Sequence, residues 1–595
     1  MIIFSANYSG SNNMKKTGAW LVRYALEQIG VKYTFGIPGV HNTEIYDELN
    51  KSEQIHPVLV THEGGAAFMA DSISRTSDSI GTILIVPAAG VTHAASGIGE
   101  AFLDGIAMLV ISGGIRTDSD KSYQLHEVDQ HAILAPITKK TYKVETHEEI
   151  IPSIYEAFRI ATEGEPGPVF VEIPVNLQLF PGHVSETPAF EATATTGFNK
   201  APELDLNAIQ QAAKMLYTAR KPGLFLGWGA VHASDESIKI ANFLDAPVST
   251  TLQGLSAFPA NHPLHTGMSF GPAAVPAAEN AFKNCDCMLA VGTRFGEIAT
   301  GSFGVEPPEN LIHIDINPAV FSANYPAAIT IEGDSKAILT ELIKALEALG
   351  GPKPVNDSIT VSIKKDKQAY LEEWFNHDSK GRVNPARFFV ELRKQLNDDA
   401  FVVVDDGNHT FLTAELMPIH TARGFISPTD FNCMGYCVPA VTACKLVNPD
   451  KQVVGIIGDG AFLMTCMESL TASSLGVGGI YFVFSDGELS QISQAQEIPY
   501  NRKTCSVLHE IKIKGIAEAT GCEFITIKDD AAIEEGIKNA LTHAAMNKPV
   551  IVDIKIDYSK RTRFTKGMVK TNLGRFTTGN KVRFIGRALL RKVTG

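Results

Sequence analysis

Apolar and polar positions alternate along this chain in two periods, one helical and one strand-like. After Thr17, apolar side chains recur at helical spacing, at Trp20, Leu21, Tyr24 and Ala25. Short apolar runs bounded by glycine or proline follow, at residues 34–39, 81–86, 107–113 and 166–174. Helices that alternate with continuously apolar strands predict a parallel α/β sheet.

The same alternation restarts twice, so we predict an α/β protein of three consecutive parallel-sheet domains. The later strands are predicted within residues 223–229, 288–292 and 311–316, and then at 401–404, 453–457 and 480–484. Thr-, Ala- and Pro-rich residues 185–202 and the turn at 350–352 are the predicted linkers. The predicted domains are residues 14–185, 203–350 and 380–560, with an extension at 561–595. A length of 595 residues supports several domains, because one hydrophobic core rarely serves so long a chain.

Composition narrows the class of protein. The chain has 52 basic and 65 acidic residues, a formal charge of −13, which does not favour nucleic acid binding. Its eight cysteines are scattered, with Cys285 and Cys287 as the pair closest in sequence, and they suggest neither a disulfide framework nor a zinc site. Residues 1–13 do not resemble a secretion signal, and no run is long and apolar enough to span a bilayer. We therefore expect a cytoplasmic enzyme.

Two acidic residues follow neighbouring predicted strands. Gly458-Asp459-Gly460 ends one strand, and Asp486 ends the next strand 27 positions later. Glycines let the backbone approach a diphosphate, and carboxylates at two strand ends suit one octahedral cation such as Mg²⁺ or Ca²⁺. Gly-Asp-Gly alone is also an ordinary turn sequence, so the second acid is what favours a metal site.

With these residues, the chain from about Thr17 to Lys560 resembles the acetohydroxyacid synthase, pyruvate oxidase and pyruvate decarboxylase superfamily of thiamine diphosphate enzymes. Its appearance is closest to the acetolactate synthase large subunits. Ser485-Asp486 stands where the family usually has two asparagines. The resemblance implies thiamine diphosphate and Mg²⁺, with Asp459, Asp486 and the backbone carbonyl of Glu488 as metal ligands. It also places Gly39, Ala461 and Leu489 at the cofactor.

Two further segments match the family. Met434, 25 positions before Asp459, stands where an apolar residue supports the bent cofactor, although methionine also fills ordinary cores. Gly407-Asn408-His409 resembles the family's Gly-Gln-His, which touches the diphosphate, and backbone amides and imidazole suit phosphate oxygens.

Glu63 is the predicted catalytic residue. The segment Thr61-His62-Glu63-Gly64-Gly65-Ala66-Ala67 resembles the family's Glu-x-x-Ala-Ala, whose glutamate bonds the pyrimidine ring so that the cofactor serves as its own base. Without the resemblance, Glu63 also fits an acid at a helix N-terminus. In the family, the first domain of one subunit faces the third domain of another. The resemblance therefore implies a homodimer or homotetramer with active sites across the interface.

The resemblance implies decarboxylation of a 2-oxo acid such as pyruvate, with ligation of the remaining fragment to a second carbonyl. A non-oxidative decarboxylase and a catalytically silent homologue are the alternatives. Ala495 replaces a tryptophan of biosynthetic members, and Ala88-Ala89-Gly90 replaces Gly-Pro-Gly, which leaves the acceptor open. The candidate substrate residues are His93, Gln124, Gln491 and Ala495.

Three other residues, Lys139, Arg294 and His126, are candidates for contact with substrate and also have structural explanations. Lys139 and Arg294 could hold an acceptor's carboxylate, although Lys139 also fits a surface charge; Arg294 follows a buried strand and is better placed. The isolated His126, like His93, is as readily structural.

FAD is a further cofactor that the resemblance leaves open. Residues 227–229, 267–269 and 313–317 resemble flavin contact segments, with a bulky Trp228 where small residues are usual.

From Lys560 to Gly595 the chain has many basic residues and no acidic one. Val582, Ile585 and Leu589 share one helical face, and Arg583, Arg587 and Arg591 recur at spacing four, which predicts a short basic amphipathic helix. Two hypotheses follow: peripheral contact with a membrane, or a cationic tail folded over an acidic partner subunit and closing the active site.

Overall fold

The computed structural model describes residues 14–191 and 203–594, which form two compact units divided near residue 198. The described residues contain three six-stranded parallel sheets, one in the first unit and two in the second. The predicted fold class, three parallel-sheet α/β domains, is therefore confirmed.

The first unit holds one sheet, in the order β3-β2-β4-β5-β7-β6, and a small antiparallel pair, β1 and β8. Every residue of β4, β5 and β7 is buried, which explains their unbroken apolar runs. The strands are β1 (Met14–Thr17), β2 (Tyr33–Gly36), β3 (His56–Leu59), β4 (Gly81–Ile85), β5 (Met108–Gly114), β6 (Lys140–Lys143), β7 (Pro168–Pro174) and β8 (Pro181–Val184). The helices are α1 (Gly18–Gln28), α2 (Thr43–Leu49), α3 (Glu63–Thr76), α4 (Ala89–Asp104), α5 (Gln130–Leu134), α6 (His147–Thr162) and α7 (Val175–Leu179).

The second unit begins with the central sheet, in the order β11-β10-β9-β12-β13-β14. Its strands are β9 (Pro222–Leu226), β10 (Val248–Thr250), β11 (His265–Met268), β12 (Cys287–Val291), β13 (Leu311–Asp315) and β14 (Ile329–Glu332). Its helices are α8 (Leu206–Thr218), α9 (Ser234–Leu244), α10 (Pro276–Phe282) and α11 (Ser335–Leu349).

The third sheet has the order β16-β15-β17-β18-β20-β19. Its strands are β15 (Phe401–Val404), β16 (Phe425–Ile426), β17 (Val453–Gly458), β18 (Ile480–Phe484), β19 (Glu523–Ile527) and β20 (Val550–Ile554). The helices are α12 (Asp357–Phe375), which precedes the sheet, and α13 (Pro385–Gln395), α14 (Asn408–Leu416), α15 (Cys437–Val447), α16 (Asp459–Thr465), α17 (Glu468–Leu475), α18 (Ser490–Tyr500), α19 (Ile513–Thr520) and α20 (Ile533–Ala545).

The basic extension forms two helices, α21 (Arg563–Arg575) and α22 (Thr578–Thr594), so the predicted helix is confirmed. Helix α21 packs on its own chain: Phe564 is fully buried and stacks on Phe411 with ring centroids 4.6 Å apart. Helix α22 contacts α18, where the Arg591 guanidinium donates to the Pro499 carbonyl at 2.6 Å.

Helix α12 was not predicted. Its buried residues are few (Ile363, Tyr370 and Trp374) and lie among charged residues, so the apolar pattern is too sparse to read. Of the predicted linker at 185–202, residues 192–202 lie outside the described residues, as do residues 1–13 and the Ile585 side chain. None of the helices in the described ranges combines the length and apolarity needed to cross a bilayer.

Candidate cofactor and metal site

Asp459 and Asp486 meet at one edge of the third sheet. Strands β17 and β18 are parallel neighbours, with Gly458 opposite Phe484, so the residues that follow them emerge side by side. One Asp459 carboxylate oxygen accepts the backbone amides of Asp486 at 3.2 Å and Gly487 at 2.8 Å. The structure thus brings the two predicted acids together.

The electrostatics of this pair suit a cation. Burial raises the pKa of Asp486 to about 6, with the neighbouring Asp459 as a further cause, although the Ser490 hydroxyl donates to its carboxylate. Burial also raises the pKa of Asp459, against the effect of the amides it accepts. A divalent cation would favour the charged form of both, and carboxylate oxygens are ligands that Mg²⁺ prefers. The donor set therefore fits the predicted metal.

Glu488 can reach such a metal only through its backbone. Its carboxylate accepts two hydrogen bonds from the Lys503 ammonium, at 2.6 and 2.7 Å, and this pairing lowers its pKa despite partial burial. The side chain is thus engaged, which agrees with the expectation that the carbonyl would serve as ligand.

A cavity of ≈ 190 Å³ adjoins the two acids and contains most predicted cofactor residues. Its lining includes Asp406, Gly407, Asn408, His409, Asn432, Met434, Gly458, Asp459, Gly460, Ala461, Asp486, Glu488, Leu489, Ser490, Gln491, Ile492 and Tyr558.

His409 gives this cavity a neutral imidazole. The side chain is buried, burial lowers its pKa to about 3, and its Nε2 atom has no hydrogen-bond partner among the described residues. Gly407 has φ +148°, and a Cβ there would lie 2.7 Å from His409 Cε1; a Cβ at Gly458 would lie 3.2 Å from the same atom. A Cβ at Gly407 would therefore clash with the ring, and one at Gly458 would require the ring to move by a few tenths of an ångström. An unpartnered ring nitrogen next to open backbone fits a diphosphate.

Asp405 positions Met434 and was not singled out from the sequence. Its buried carboxylate accepts the backbone amides of Gly435 and Cys437, each at 2.8 Å, and burial raises its pKa to about 7. Gly435 has φ +88°, which favours glycine. The carboxylate thus holds the turn that follows Met434. The signal was present, because Asp405 ends an apolar strand.

Tyr558 is a second residue that the sequence did not reveal. Its hydroxyl is buried and has no hydrogen-bond partner within residues 14–191 and 203–594. Burial raises its pKa, and Asp486 and Asp459 raise it further. Tyr558 follows β20, the strand next to β18, so its position past a strand end was the available clue.

In the first unit, Glu63 is the first residue of α3 and 6% exposed. One of its carboxylate oxygens lies 3.0 Å from His93 Nδ1, and the His93 ring stacks on His62 with centroids 4.6 Å apart. A Cβ added at Gly90 would lie 3.5 Å from the other oxygen. Glu63 is thus an acid at a helix N-terminus and also a buried carboxylate held by a histidine.

Gly39 and Gln124 lie in loops of the first unit. The Gly39 amide donates to the Asn42 side chain at 2.7 Å, and a Cβ at Gly39 would lie 2.6 Å from Val86 Cγ1. The Gln124 side-chain amide donates to the Arg116 carbonyl at 3.0 Å. The Gln124 side chain therefore stabilises its own loop.

Lys139 and His126 have structural partners. The Lys139 ammonium donates to three carbonyls at the C-terminal end of α6, including Glu163 at 2.7 Å and Glu165 at 2.8 Å. His126 Nδ1 lies 3.1 Å from His41 Nδ1. These contacts explain both residues without a substrate.

Three other candidates lie in the second unit. Gln491 lines the cavity, and its buried Oε1 has no partner in the described part of the chain. Ala495, one turn further along α18, is exposed and not part of that lining. Arg294, just past β12, pairs with Asp430 at 3.4 Å.

The predicted flavin segments lie at strand ends of the central sheet: residues 227–229 follow β9, and residues 267–269 and 313–317 include the last residues of β11 and β13. A Cβ at Gly227 would lie 2.0 Å from the Gly292 carbonyl oxygen, and one at Gly229 would lie 2.7 Å from Gly292 Cα. Packing between the ends of β9 and β12 therefore accounts for both glycines, and they do not by themselves indicate a flavin.

Comparison with known proteins gives consistent matches along the chain. Models of thiamine pyrophosphate enzymes match residues 16–133 (N-terminal TPP binding domain), 209–342 (central domain) and 405–554 (C-terminal TPP binding domain). The chain is 31% identical to a probable acetolactate synthase large subunit of Methanocaldococcus jannaschii, over 91% of this chain and 92% of the relative. It is 31% identical to an acetolactate synthase large subunit of Haemophilus influenzae, over 92% and 96%. It is 28% identical to the isozyme 1 large subunit of Escherichia coli, over 93% and 96%.

Proposed function

Because the chain belongs to the thiamine pyrophosphate enzymes and within them to the family of acetolactate synthase large subunits, we propose that it decarboxylates a 2-oxo acid such as pyruvate and joins the remaining fragment to a second carbonyl compound. The observation that carries this proposal is the meeting of Asp459 and Asp486 beside His409 and the open backbone of Gly407 and Gly458. This arrangement has the chemistry of a metal and diphosphate site.

Asp459, Asp486 and the Glu488 carbonyl would hold Mg²⁺, which would neutralise negative charge on the diphosphate. The neutral His409 imidazole and the amides of the segment 407–409 would bind phosphate oxygens, because each can donate a hydrogen bond. Met434, fixed by the Asp405-bound turn, would support the apolar part of the cofactor.

When bound, thiamine diphosphate supplies the electron sink that the loss of CO₂ requires. Glu63 would hold a proton at the pyrimidine ring, and His93 would keep its carboxylate in place. Gln491, whose Oε1 faces no protein donor among the described residues, would orient substrate.

A homodimer or homotetramer is part of the proposal. Leu463, Met464, Met467 and Leu470 are 40–57% exposed on α16, α17 and the turn between them, and α16 begins at Asp459. In the first unit, Tyr123 is 99% exposed and Leu125 65%. Exposed apolar groups of this size are typical of subunit interfaces.

Product analysis tests the proposed reaction. The purified chain would be incubated with thiamine diphosphate, Mg²⁺ and pyruvate, alone and with paired aldehyde or oxo-acid acceptors. We expect acetolactate, acetoin or a mixed ligation product, and no product from the variant Asp459→Asn. Acetaldehyde as the sole product would identify a decarboxylase, and intact pyruvate with bound cofactor would identify a silent homologue.

Flavin binding is tested by the same preparation. FAD released from the purified protein would give an absorbance band near 450 nm, and absence of this band after reconstitution would exclude FAD.

A cytoplasmic location fits the eight cysteines, all of which are free thiols.

Peripheral membrane contact through α22 is a second, separate proposal. Val582, Leu589 and Leu590 are 59–65% exposed at spacings of seven and eight, which place them on one helical face. Sedimentation with anionic liposomes tests it: the full chain should sediment and a chain ending at Thr577 should not. Equal sedimentation of the two chains would exclude this role for α22.

A further inference from the structure

A second and larger cavity lies in the second unit and shares no lining residue with the cavity beside Asp459 and Asp486, although Gly267 of a predicted flavin segment is part of its wall. Its volume is ≈ 320 Å³, and it lies between the edge strand β11, helix α12 and the end of α14. Much of its wall is apolar, with Leu255, Val275, Leu371, Met417 and Ile419 among the lining residues. The lining also includes the exposed Val390 and Pro418, which place an opening at the surface. Cavities of about 300–1,000 Å³ with apolar walls and few polar groups are typical of small-molecule sites.

Lys367 gives this cavity an ammonium group that is not paired with either carboxylate of the lining. Its Nζ lies 3.1 Å from His265 Nδ1 and 3.5 Å from the Ala260 carbonyl oxygen, and both of these acceptors are neutral. Burial lowers the pKa of Lys367 to about 8, and no charge raises it in return. Among the described residues, no acidic side chain forms a salt bridge with it. A buried cation of this kind is costly unless an anion accompanies it.

His265 adds a second donor beside Lys367. The side chain is 6% exposed and lines the same cavity. Its Nδ1 accepts from the Lys367 ammonium, so the ring hydrogen lies on Nε2. This Nε2 has no hydrogen-bond partner in the part of the chain that the structure describes. Burial lowers the pKa of His265, with Lys367 as a further cause, so the ring is neutral.

The other charged groups of the lining are already paired within the protein. Glu415 accepts from the Tyr370 hydroxyl and from the amides of Arg563, at 3.1 Å, and Phe564, at 2.7 Å. Asp366 accepts from the Asn280 side chain at 2.8 Å. Arg393 donates to the carbonyls of Leu396 and Asn397. Lys367 and His265 are 3.1 Å apart, so a single carboxylate can engage both groups together.

We propose that this cavity is a binding site for a small monocarboxylate with an apolar body. The carboxylate would accept from the Lys367 ammonium and from His265 Nε2, and the hydrocarbon would lie along Leu255, Val275 and Leu371. A site with an ammonium and a neutral imidazole at one end and apolar walls at the other selects against both free inorganic anions and uncharged hydrocarbons. The site is separate from the proposed reaction and does not depend on it.

Calorimetric titration of the full chain with octanoate tests this site. We expect saturable binding of one octanoate per chain, while 1-octanol, acetate and inorganic phosphate bind at least tenfold more weakly. Octanol lacks the carboxylate, and acetate and phosphate lack the apolar body. Absence of saturable octanoate binding would overturn the proposal, and so would equal binding of acetate or phosphate, which would indicate a plain anion site.

Substitution of Lys367 identifies the partner of the carboxylate. Lys367→Met keeps an unbranched apolar side chain and should weaken octanoate binding at least tenfold without changing octanol binding. Lys365→Met, at an exposed position of the same helix, should change neither. Lys367→Gln is the second variant if Lys367→Met does not fold, as judged by circular dichroism. Unchanged octanoate affinity in a folded Lys367 variant would overturn the assignment.

Binding is measured without turnover, so the result is independent of the proposed enzymatic function. Asp459→Asn, which removes a proposed metal ligand, should keep the octanoate affinity of the parent. Displacement of octanoate by thiamine diphosphate and Mg²⁺ would instead indicate that octanoate binds in the cavity beside Asp459 and Asp486. This result would overturn the proposal.

Discussion

At the scale of single residues, Asp405 shows how a side chain outside the cofactor cavity can control one inside it. Its carboxylate binds the amides of Gly435 and Cys437. In Asp405→Asn, a side-chain NH₂ would replace one of the two acceptor oxygens and leave one buried amide unpaired, at about 1–3 kcal/mol. We expect a lower thermal midpoint and weaker thiamine diphosphate binding by titration. The exposed Asp450→Asn should change neither, and equal cofactor affinity in Asp405→Asn would contradict this role.

Substitution of Glu63 can distinguish its two possible roles, a charge at a helix N-terminus and a catalytic acid. If it serves only as a helix N-terminal charge, Glu63→Gln costs stability and little activity. If it holds the proton proposed here, the substitution lowers the rate of 2-oxo acid consumption roughly 10²–10⁴-fold while cofactor binding persists. Steady-state kinetics and cofactor titration distinguish these outcomes, with the exposed Glu53→Gln as control. Parental activity in Glu63→Gln would remove the catalytic assignment.

At the scale of elements, the two C-terminal helices, α21 and α22, make different contacts with the rest of the second unit. Removal of α21 would delete the buried Phe564 side chain, and loss of a buried aromatic side chain lowers the free energy of unfolding by about 3–5 kcal/mol. It would also remove the two backbone amides that donate to Glu415. Removal of α22 alone takes the Arg591 contact from α18. We therefore expect a chain ending at Lys560 to unfold at a clearly lower temperature, and a chain ending at Thr577 to keep its midpoint.

Hydrogen exchange completes the comparison of the truncated chains. Loss of α22 should speed exchange in α18, which carries Gln491 and Ala495, because Arg591 donates to the Pro499 carbonyl of that helix. Unchanged exchange in α18 would show that α22 does not stabilise it. A chain ending at Lys560 that is as stable as the parent would contradict the structural role of α21.

At the scale of the whole molecule, the exposed apolar face on α16 and α17 predicts self-association. Met467→Asp places a charge at a position that is 48% exposed in one chain. A buried unpaired charge at an interface costs several kcal/mol. We expect sedimentation velocity to show dissociation toward monomers at least tenfold more readily than in the parent. Val361→Asp, at an exposed position on α12, is the control, and an unchanged assembly in Met467→Asp would exclude this face.

The pH dependence of stability reports on Lys367. Its folded pKa is about 8, below the ordinary value of 10.5, so between these values the unfolded chain binds more protons than the folded one. Stability from this group is therefore lowest below pH 8 and rises toward pH 10.5. Lys367→Met should stabilise the chain near pH 7, and its advantage over the parent should shrink by pH 10. Denaturant unfolding of both at matched pH measures this, and a constant difference would contradict it.

The sequence by itself determined the sheets and the edge at which Asp459 and Asp486 meet. Parallel strands buried on both faces are read as unbroken apolar runs, and acids directly after β17 and β18 must emerge together because neighbouring parallel strands end at one edge. The resemblance added Met434 and His409, which line the same cavity.

Only the tertiary structure decided which polar groups are paired. Lys139 binds carbonyls of α6, Asp405 binds a turn 30 positions away, and Lys367 meets His265 across 102 positions. The same residue types could as well be exposed, since burial and partners depend on contacts distant in the chain. Helix α12, with few apolar residues, also acquires its core face, and with it the Lys367 cavity, only by packing.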